Sequence, residues 1–307
     1  MKTVVLVVAV IVGLALIAGG AILIAINRNG PAVLDTVDRI AGGKNNIELL
    51  HKQSLGEDPR QKLLVYGDPF SSKALPVFIF VHGGSWRNGN PDDYGFIARN
   101  IASKGFIVVL GGYRLRENGR YPAMLQDTAA VTAWVHENIA EFGGDPERLV
   151  LAGHSAGAYN VAQVALEQRW LAEAGVPARS IRGVVGLAGP YDFYPYDSDS
   201  TRAAFGSVGV GAESQPVNHV RSDAPPMLLV HGEQDSLVKP RNTRALAAAL
   251  EDSGAEVDTL FMPAMTHNDP LLALANPWRR DPQIFDAVTR FIEQHAALSV
   301  PVQAETP

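Results

Sequence analysis

The chain has 307 residues, 47% of them hydrophobic, which is enough to bury the core of one large domain or two modest ones. The formal net charge is −6, and no long run of Lys and Arg is present to neutralise phosphates, so nucleic acid is excluded as an expected partner. The sequence holds no cysteine, which excludes disulfides, cysteine-ligated zinc, a cysteine nucleophile and a lipid-modified N-terminal cysteine.

The first predicted element is an apolar helix over Thr3–Ile26, a stretch without charged residues. At ~1.5 Å per residue it would be ~36 Å long, enough to cross a ~30 Å hydrocarbon core. A cleavable signal peptide is the alternative, but its apolar run is usually only ~7–15 residues, and here the run continues beyond the small residues at 18–21. We therefore expect residues 1–27 to be a membrane anchor, with the domain that follows outside the cytoplasm. Secretion after signal cleavage is the alternative.

A linker with edge structure is predicted for 28–59, where Gly30-Pro31 and Gly42-Gly43 interrupt regular structure. One large folded domain is expected over 60–298 and a disordered tail over 299–307. Within the domain, short apolar runs that end in glycine or turn residues are typical of strands buried on both faces. The predicted strands are 62–66, 76–84, 105–113, 148–153, 181–189, 225–235 and 256–264.

Helical spacing separates these strands, at 127–144, 156–175, 240–254 and 281–297. Strands that alternate with helices predict an α/β fold, with a mainly parallel sheet covered on both faces. Residues 190–224 break this rhythm and are predicted to be a cap-like insertion. Its aromatic side chains either line a substrate pocket or simply pack the cap. They are Tyr191, Phe193, Tyr194, Tyr196 and Phe205.

Ser155 lies at the centre of Gly153-His154-Ser155-Ala156-Gly157, between a predicted strand and a predicted helix. In a G-x-S-x-G turn of this kind the backbone is strained, the serine oxygen lies at the tip, and bulky neighbours would clash. The following helix directs its N-terminus at the site, which favours developing negative charge. Ser155 is therefore the candidate nucleophile, and a serine-glycine turn without chemistry is the alternative.

A nucleophilic serine needs a histidine base, and that histidine needs a carboxylate to orient it. In a strand-turn-helix setting of this type the chain order is Ser, then acid, then His. His267 is the candidate base, because it follows the predicted strand 256–264 at the sheet edge where such sites lie. The other histidines C-terminal to Ser155 occupy a strand end, a helix end and the insertion. They are His231, His295 and His219.

Asp235 is the candidate orienting acid. It lies at the end of the predicted strand 225–235, one strand before the strand 256–264 that leads to His267. Glu233 lies on the same loop and is expected to be an exposed turn residue. Asp192 follows an earlier strand and is the alternative acid, since its loop also opens at the site.

The run His-Gly-Gly-Ser-Trp at 82–86 follows a buried strand and is the candidate oxyanion hole. A tetrahedral intermediate carries an oxyanion that needs preorganised N–H donors. Gly83 and Gly84 allow backbone amides to approach closely, and Ala156, which follows the nucleophile, supplies another amide. The flanking side chains are expected to brace the loop. They are His82 and Trp86.

The chain resembles the α/β-hydrolase serine esterases over roughly Leu49–Ala297, most closely the bacterial kynurenine-formamidase, hormone-sensitive-lipase-type and feruloyl-esterase-like (BD-FAE) branch. The motifs that carry the resemblance are VHGGSWRNGN, GGYRL, FGGDPERLVLAGHSAGAYNVA, VHGEQD and MTH. It implies an α/β-hydrolase fold and a Ser-Asp-His triad, and it places the oxyanion donors at the amides of Gly84, Ser85 and Ala156. Ser85, followed by Trp86, stands where many lipase-type relatives have a third glycine, which leaves the donor in place because it is a backbone group.

These residues predict a carboxylesterase-type serine hydrolase that acts on a small-molecule ester without cofactor or metal; the oligomeric state is open. Amidase, arylformamidase or peptidase action on the same triad is the alternative within hydrolases. A catalytically inactive hydrolase-fold binding protein is the alternative of another class, although no triad member is missing. Gly183, Gly186 and Gly189 do not match the G-x-G-x-x-G fingerprint of nicotinamide-binding enzymes.

Overall fold

The structure is a computed structural model that describes residues 19–20, 24–26, 28–41, 46–206, 209, 211–276 and 281–297. Most of the predicted anchor, and the whole of the predicted tail, lie outside these ranges. In the described part of the chain, no helix has both the length and the hydropathy needed to cross a membrane.

Within the described ranges, one sheet of eight strands forms the centre of the fold, in the spatial order 1-2-4-3-5-6-7-8. Strand 2 pairs antiparallel with both of its neighbours, and the remaining neighbouring pairs of this sheet are parallel. The predicted mainly parallel sheet is therefore confirmed. The strands are β1 Glu48–Ser54, β2 Lys62–Gly67, β3 Leu75–Val81, β4 Ile107–Gly111, β5 Gly144–His154, β6 Ile181–Leu187, β7 Met227–Gly232 and β8 Val257–Met262.

Alternation along the central strands builds one core on each face of the sheet. In β3, Val77 and Ile79 pack into one buried cluster, whereas Phe78 and Phe80 pack into the other. Successive side chains of a strand point to opposite faces, so a continuous apolar run fits a sheet that is covered on both sides. This explains why the strand carries no polar face.

Helices cover both faces of the sheet. α3, α4 and α7 contribute to one core cluster, and α2 and α9 contribute to the other. The helices are α1 28–41, α2 Gly95–Ala102, α3 Ala123–Asn138, α4 Ala156–Leu166, α5 Arg169–Glu173, α6 Asp199–Phe205, α7 Arg241–Ser253, α8 Asp269–Leu272 and α9 Gln283–His295.

The interpretation of 28–59 as a linker with edge structure needs a correction, because 28–41 forms α1. The edge strand β1 follows it. Two buried carboxylates hold α1 against α2: Arg99 lies 2.7 Å from Asp35 and 2.7 Å from Asp38, and the Asn100 side chain donates to Asp38 at 3.0 Å. These partners are about 60 residues apart in the sequence, so the local sequence does not reveal the contacts that stabilise α1. The prediction of a linker rested instead on the glycine and proline residues that interrupt regular structure.

Candidate active site

Ser155 lies between β5 and α4, with φ 53° and ψ −121°, a backbone conformation that is rare for any residue with a Cβ. A Cβ at Gly153 would lie 2.4 Å from the backbone of Gly157, and a Cβ at Gly157 would lie 2.1 Å from the carbonyl oxygen of Val81. Both motif glycines are thus required by close backbone approach, as the G-x-S-x-G pattern predicts.

A continuous line of hydrogen bonds joins the three predicted triad residues. Ser155 Oγ lies 2.9 Å from His267 Nε2, and His267 Nδ1 lies 2.7 Å from Asp235 Oδ2. The other carboxylate oxygen of Asp235 accepts the amides of Leu237 and Val238, each at 2.9 Å. The structure therefore brings together residues that lie on three separate loops at the same edge of the sheet.

His231, which the sequence placed only at a strand end, is a further partner of Asp235. Its Nε2 lies 3.2 Å from Asp235 Oδ2 and 2.9 Å from the Val238 carbonyl oxygen, and its Nδ1 lies 2.7 Å from Thr243 Oγ1. Burial by itself raises the pKa of Asp235, but hydrogen bonds from His231 and His267 hold that pKa well below its usual range. Asp235 is therefore a charged carboxylate.

His154 occupies the position before Ser155 in the G-x-S-x-G motif, and it contacts the candidate base His267. Its Nε2 lies 2.9 Å from the carbonyl oxygen of His267, and the two ring centroids are 4.9 Å apart. Burial, together with repulsion from His267, lowers the pKa of His154 to about 3. A neutral His154 thus donates its N–H to the backbone of His267. The sequence reasoning missed this role, although the position next to the serine was a signal.

The 82–86 loop adopts a backbone that needs its glycines. Gly84 has φ 116°, and a Cβ there would lie 2.1 Å from the carbonyl oxygen of Asn88. Among the described residues, no acceptor pairs with the amide N–H groups of Gly84, Ser85 or Ala156. Gly84 and Ser85 line a cavity together with Ser155. Unpaired amides beside the serine suit a developing oxyanion.

The flanking side chains of this loop are buried and held by ring contacts. His82 stacks between Tyr94 and Tyr113, its Nδ1 lies 2.8 Å from the Gly83 carbonyl oxygen, and burial lowers its pKa to about 4. Trp86 donates from Nε1 to Asn160 at 3.1 Å. Both side chains therefore hold the 82–86 loop against the core of the protein, as the sequence predicts.

A cavity of about 910 Å³ opens in front of Ser155 and His267. Its opposite wall comes from the segment around α1, not from the insertion. The insertion aromatics instead pack around Trp86: Phe205 lies 4.8 Å and Phe193 lies 6.2 Å from it, centroid to centroid. Of the two alternatives for this cluster, the structure favours cap packing. The apolar residues of the wall are Ile26, Pro31, Val33 and Leu34, hereafter the N-terminal wall.

In the described part of the chain, none of the alternative acids or histidines is hydrogen-bonded to the side chains of Ser155 or His267. The amide of Asp192 donates to the Asn242 side chain at 2.9 Å, and Glu233 forms an ion pair with Arg244. His219 contacts the Glu213 carbonyl oxygen, and His295 lies at the end of α9. In the described part of the chain, no group of three or more His, Asp or Glu side chains is arranged to hold a metal ion.

A profile of the BD-FAE family matches residues 63–250, more than half of the chain. The chain belongs to the BD-FAE family. This confirms the resemblance to α/β-hydrolase serine esterases that the motifs indicated.

Curated relatives agree with the BD-FAE assignment. The chain is 31% identical over 259 residues to a probable isoprenylcysteine α-carbonyl methylesterase of Oryza sativa subsp. japonica, covering 76% of this chain and 60% of that protein. It is 28% identical over 257 residues to esterase LipC of Mycobacterium tuberculosis, covering 76% of this chain and 63% of that protein. The chain thus spans less than two thirds of the length of either relative.

Solved structures share the fold of this BD-FAE member. Esterase B of Lactobacillus rhamnosis has a TM-score of 0.75 at 21% identity, covering 92% of this chain and 97% of that chain. A thermostable esterase of Pseudomonas putida has a TM-score of 0.67 at 24% identity, covering 89% and 91%. At these identities the likeness shows the fold, which is the α/β-hydrolase fold that the sequence predicted.

Proposed function

We propose that this BD-FAE family member is a carboxylesterase that hydrolyses small-molecule esters through an acyl-enzyme on Ser155. The observation that carries the proposal is the hydrogen-bonded line from Ser155 Oγ through His267 to Asp235, at 2.9 and 2.7 Å. Both distances lie within the reach that a nucleophile and its general base require.

Acylation begins when the Ser155 hydroxyl gives its proton to His267 Nε2 and its oxygen attacks the ester carbonyl carbon. The carbonyl π-electrons move onto oxygen, and the amides of Gly84, Ser85 and Ala156 are the proposed donors to that oxyanion. The tetrahedral intermediate then collapses, the C–O bond to the alcohol breaks, and His267 returns the proton to the departing alcohol. Asp235 stays ionised throughout and stabilises the imidazolium.

Deacylation repeats these steps with water as the nucleophile. His267 takes a proton from water, the hydroxide oxygen attacks the acyl carbon, and the Ser155–acyl bond breaks as Ser155 regains its proton. The products are the carboxylic acid and free enzyme. No other group has to change its protonation state.

Esters are favoured over amides because the relatives that match this chain are described as esterases and methylesterases. The same hydrogen-bonded line would serve an amide, so the ratio of ester to amide hydrolysis decides between carboxylesterase and amidase or peptidase action.

The membrane anchor and an extracytoplasmic catalytic domain remain part of the proposal. The anchor is supported by the length and apolar character of the sequence Thr3–Ile26, since an apolar stretch of this length can cross a membrane as a helix.

Hydrolysis of p-nitrophenyl butyrate by Ser155→Ala tests the proposed chemistry. We expect kcat to fall at least about 10⁴-fold, because the oxyanion donors and binding alone supply only residual catalysis. Circular dichroism should show the native fold, and p-nitroanilides should be poor substrates for the wild-type protein. Near-native turnover by folded Ser155→Ala would overturn the assignment.

A further inference from the structure

Part of the cavity in front of the catalytic residues is lined by aliphatic side chains, and polar residues also line it, among them Arg28, Asn29, Asn88, Asp93, Asp269 and Asp281. The N-terminal wall contributes Ile26, Pro31, Val33 and Leu34, and the facing side is completed by further aliphatic side chains. Two of these residues also reach the outside: Ile26 is 46% exposed and Leu237 is 68% exposed. Aliphatic side chains therefore lie both at the exposed rim and in the lining of the cavity that contains Ser155. The facing residues are Leu237, Met265, Leu271 and Leu272.

The position of the N-terminal wall is fixed by polar contacts behind it. Asp35 and Asp38 are each 3% exposed, and both lie 2.7 Å from Arg99. A Cβ at Gly95 would lie 2.5 Å from Asp35 Oδ1, so a side chain there would displace the carboxylate that pairs with Arg99. At the start of the helix, Asn29 donates to Asp93 at 2.8 Å. The wall is thus held as a built part of the site.

We propose that the N-terminal wall binds the aliphatic chain of the ester, so that the substrates are lipid-like esters with a medium-length or longer hydrocarbon chain. This rests on the proposed esterase function and deepens it by naming a substrate class. The hydrocarbon chain of the substrate lies against Val33 and Leu34, while the ester carbonyl lies at Ser155. The four side chains of the N-terminal wall offer no hydrogen-bond partner, so a substrate gains free energy against them by removing apolar surface from water.

The hydrocarbon chain can be the acyl part or the alcohol part of the ester, and two series of substrates distinguish these two cases. The first series is p-nitrophenyl esters of increasing acyl length, and the second is acetates of n-alcohols of increasing length. In the series that uses the wall, we expect kcat/KM to rise about fourfold per methylene group until the wall is filled, which corresponds to ~0.8 kcal/mol each. The gain should appear mainly in KM.

Val33→Asp tests the wall in the full-length protein, with Thr36→Asp as the matched control. Thr36 is exposed on the same helix and does not line the cavity. We expect Val33→Asp to lower kcat/KM for the octanoyl or octyl ester at least about tenfold, while acetate hydrolysis changes less than about twofold. Thr36→Asp should leave both unchanged. Val33→Trp, which keeps the wall apolar but narrows the cavity, should move the optimum to shorter chains.

The outcomes separate the two proposals. A flat dependence on chain length in both series, or equal effects of Val33→Asp and Thr36→Asp, would overturn the wall while leaving the esterase function intact. Absence of any ester hydrolysis by the folded wild-type protein would overturn both. Unchanged labelling of Ser155 by a fluorophosphonate in Val33→Asp shows that the variant has kept its fold.

Discussion

Asp235 accepts hydrogen bonds from four donors: two backbone amides on one oxygen and two histidines on the other. A carboxylate held in this way keeps its charge and one orientation. It can therefore fix the tautomer of His267 in which Nδ1 carries the proton and Nε2 is free to accept one from Ser155.

Asp235→Asn tests this role. The amide can present its NH₂ to His267 Nδ1 and so favour the wrong tautomer, and we expect kcat for ester hydrolysis to fall about 10⁴-fold. Asp192→Asn is the matched control and should retain wild-type kcat, since the His267 Nδ1 partner is Asp235. A severe loss in Asp192→Asn with an active Asp235→Asn would move the acid to the earlier loop.

His154 links the site to the pH dependence of stability. The pKa of His154 in the folded protein is about 3, below its ordinary value of 6.5. Between these two pH values the unfolded chain binds a proton at this residue and the folded protein does not. The free energy of unfolding therefore falls as the pH drops below about 6.5, with His154 contributing up to ~1.4 kcal/mol per pH unit.

Urea unfolding of His154→Gln at several pH values between about 4 and 6 checks this contribution. We expect the slope of unfolding free energy against pH to be smaller than in the wild type by up to ~1.4 kcal/mol per pH unit, because glutamine does not titrate. Identical slopes in the two proteins would show that His154 is not held neutral.

At the scale of elements, the strands were predictable because their apolar runs are continuous and end in turn residues. β3 to β8 lie within or close to the ranges expected from the sequence. Helix ends were less accurate: the helix expected at 127 begins at Ala123 after Pro122, and the one expected over 156–175 divides into α4 and α5 near Glu167. Helix ends depend on capping and tertiary contacts as well as on periodicity.

α1 and the N-terminal wall were not predictable, because what defines them is long-range. Asp35 and Asp38 are buried against Arg99, about 60 residues away in the sequence, and local patterns do not reveal such a pairing. The order Ser155, Asp235, His267 was predictable, since each residue follows its own strand. The contacts of His231 and His154 depend on which loops meet, and sequence spacing does not reveal this.

Arg99→Met tests the attachment of α1. Removing one partner of a buried ion pair costs about 3–5 kcal/mol, because the remaining carboxylates are left uncompensated. We expect amide hydrogen exchange in α1 to accelerate by at least about a hundredfold while the central strands stay protected.

Arg202→Met is the control, since Arg202 is 54% exposed in a surface pair with Asp199 and should be worth about 0–1 kcal/mol. Equal exchange of α1 in the two variants would mean that the buried pair does not hold the helix.

At the scale of the whole molecule, the apolar segment Thr3–Ile26 ends at Ile26, which is also the first residue of the N-terminal wall. We predict that full-length protein resists carbonate extraction from membranes and needs detergent. A truncated chain beginning at Ile24 should be soluble and keep its activity on medium-chain esters. Truncation near Gly30 would remove Ile26 from the wall.

Sequencing of the N-terminus in membrane and soluble fractions separates the alternatives. An intact start in the membrane fraction supports the anchor, whereas a mature protein that begins near Ala21 or Asn27 would be a secreted enzyme. Full-length protein that is soluble without detergent would contradict the anchor.

The most direct test of the central claim is reaction of the detergent-solubilised full-length protein with a fluorophosphonate probe, followed by peptide mapping. An activated serine attacks phosphorus, displaces fluoride and keeps the adduct, whereas an ordinary serine does not react at neutral pH. We predict one label, on Ser155, that is absent from Ser155→Ala and greatly slowed in Asp235→Asn. A folded wild-type protein that takes no label, or takes it on another serine, would contradict the assignment of Ser155 as the nucleophile.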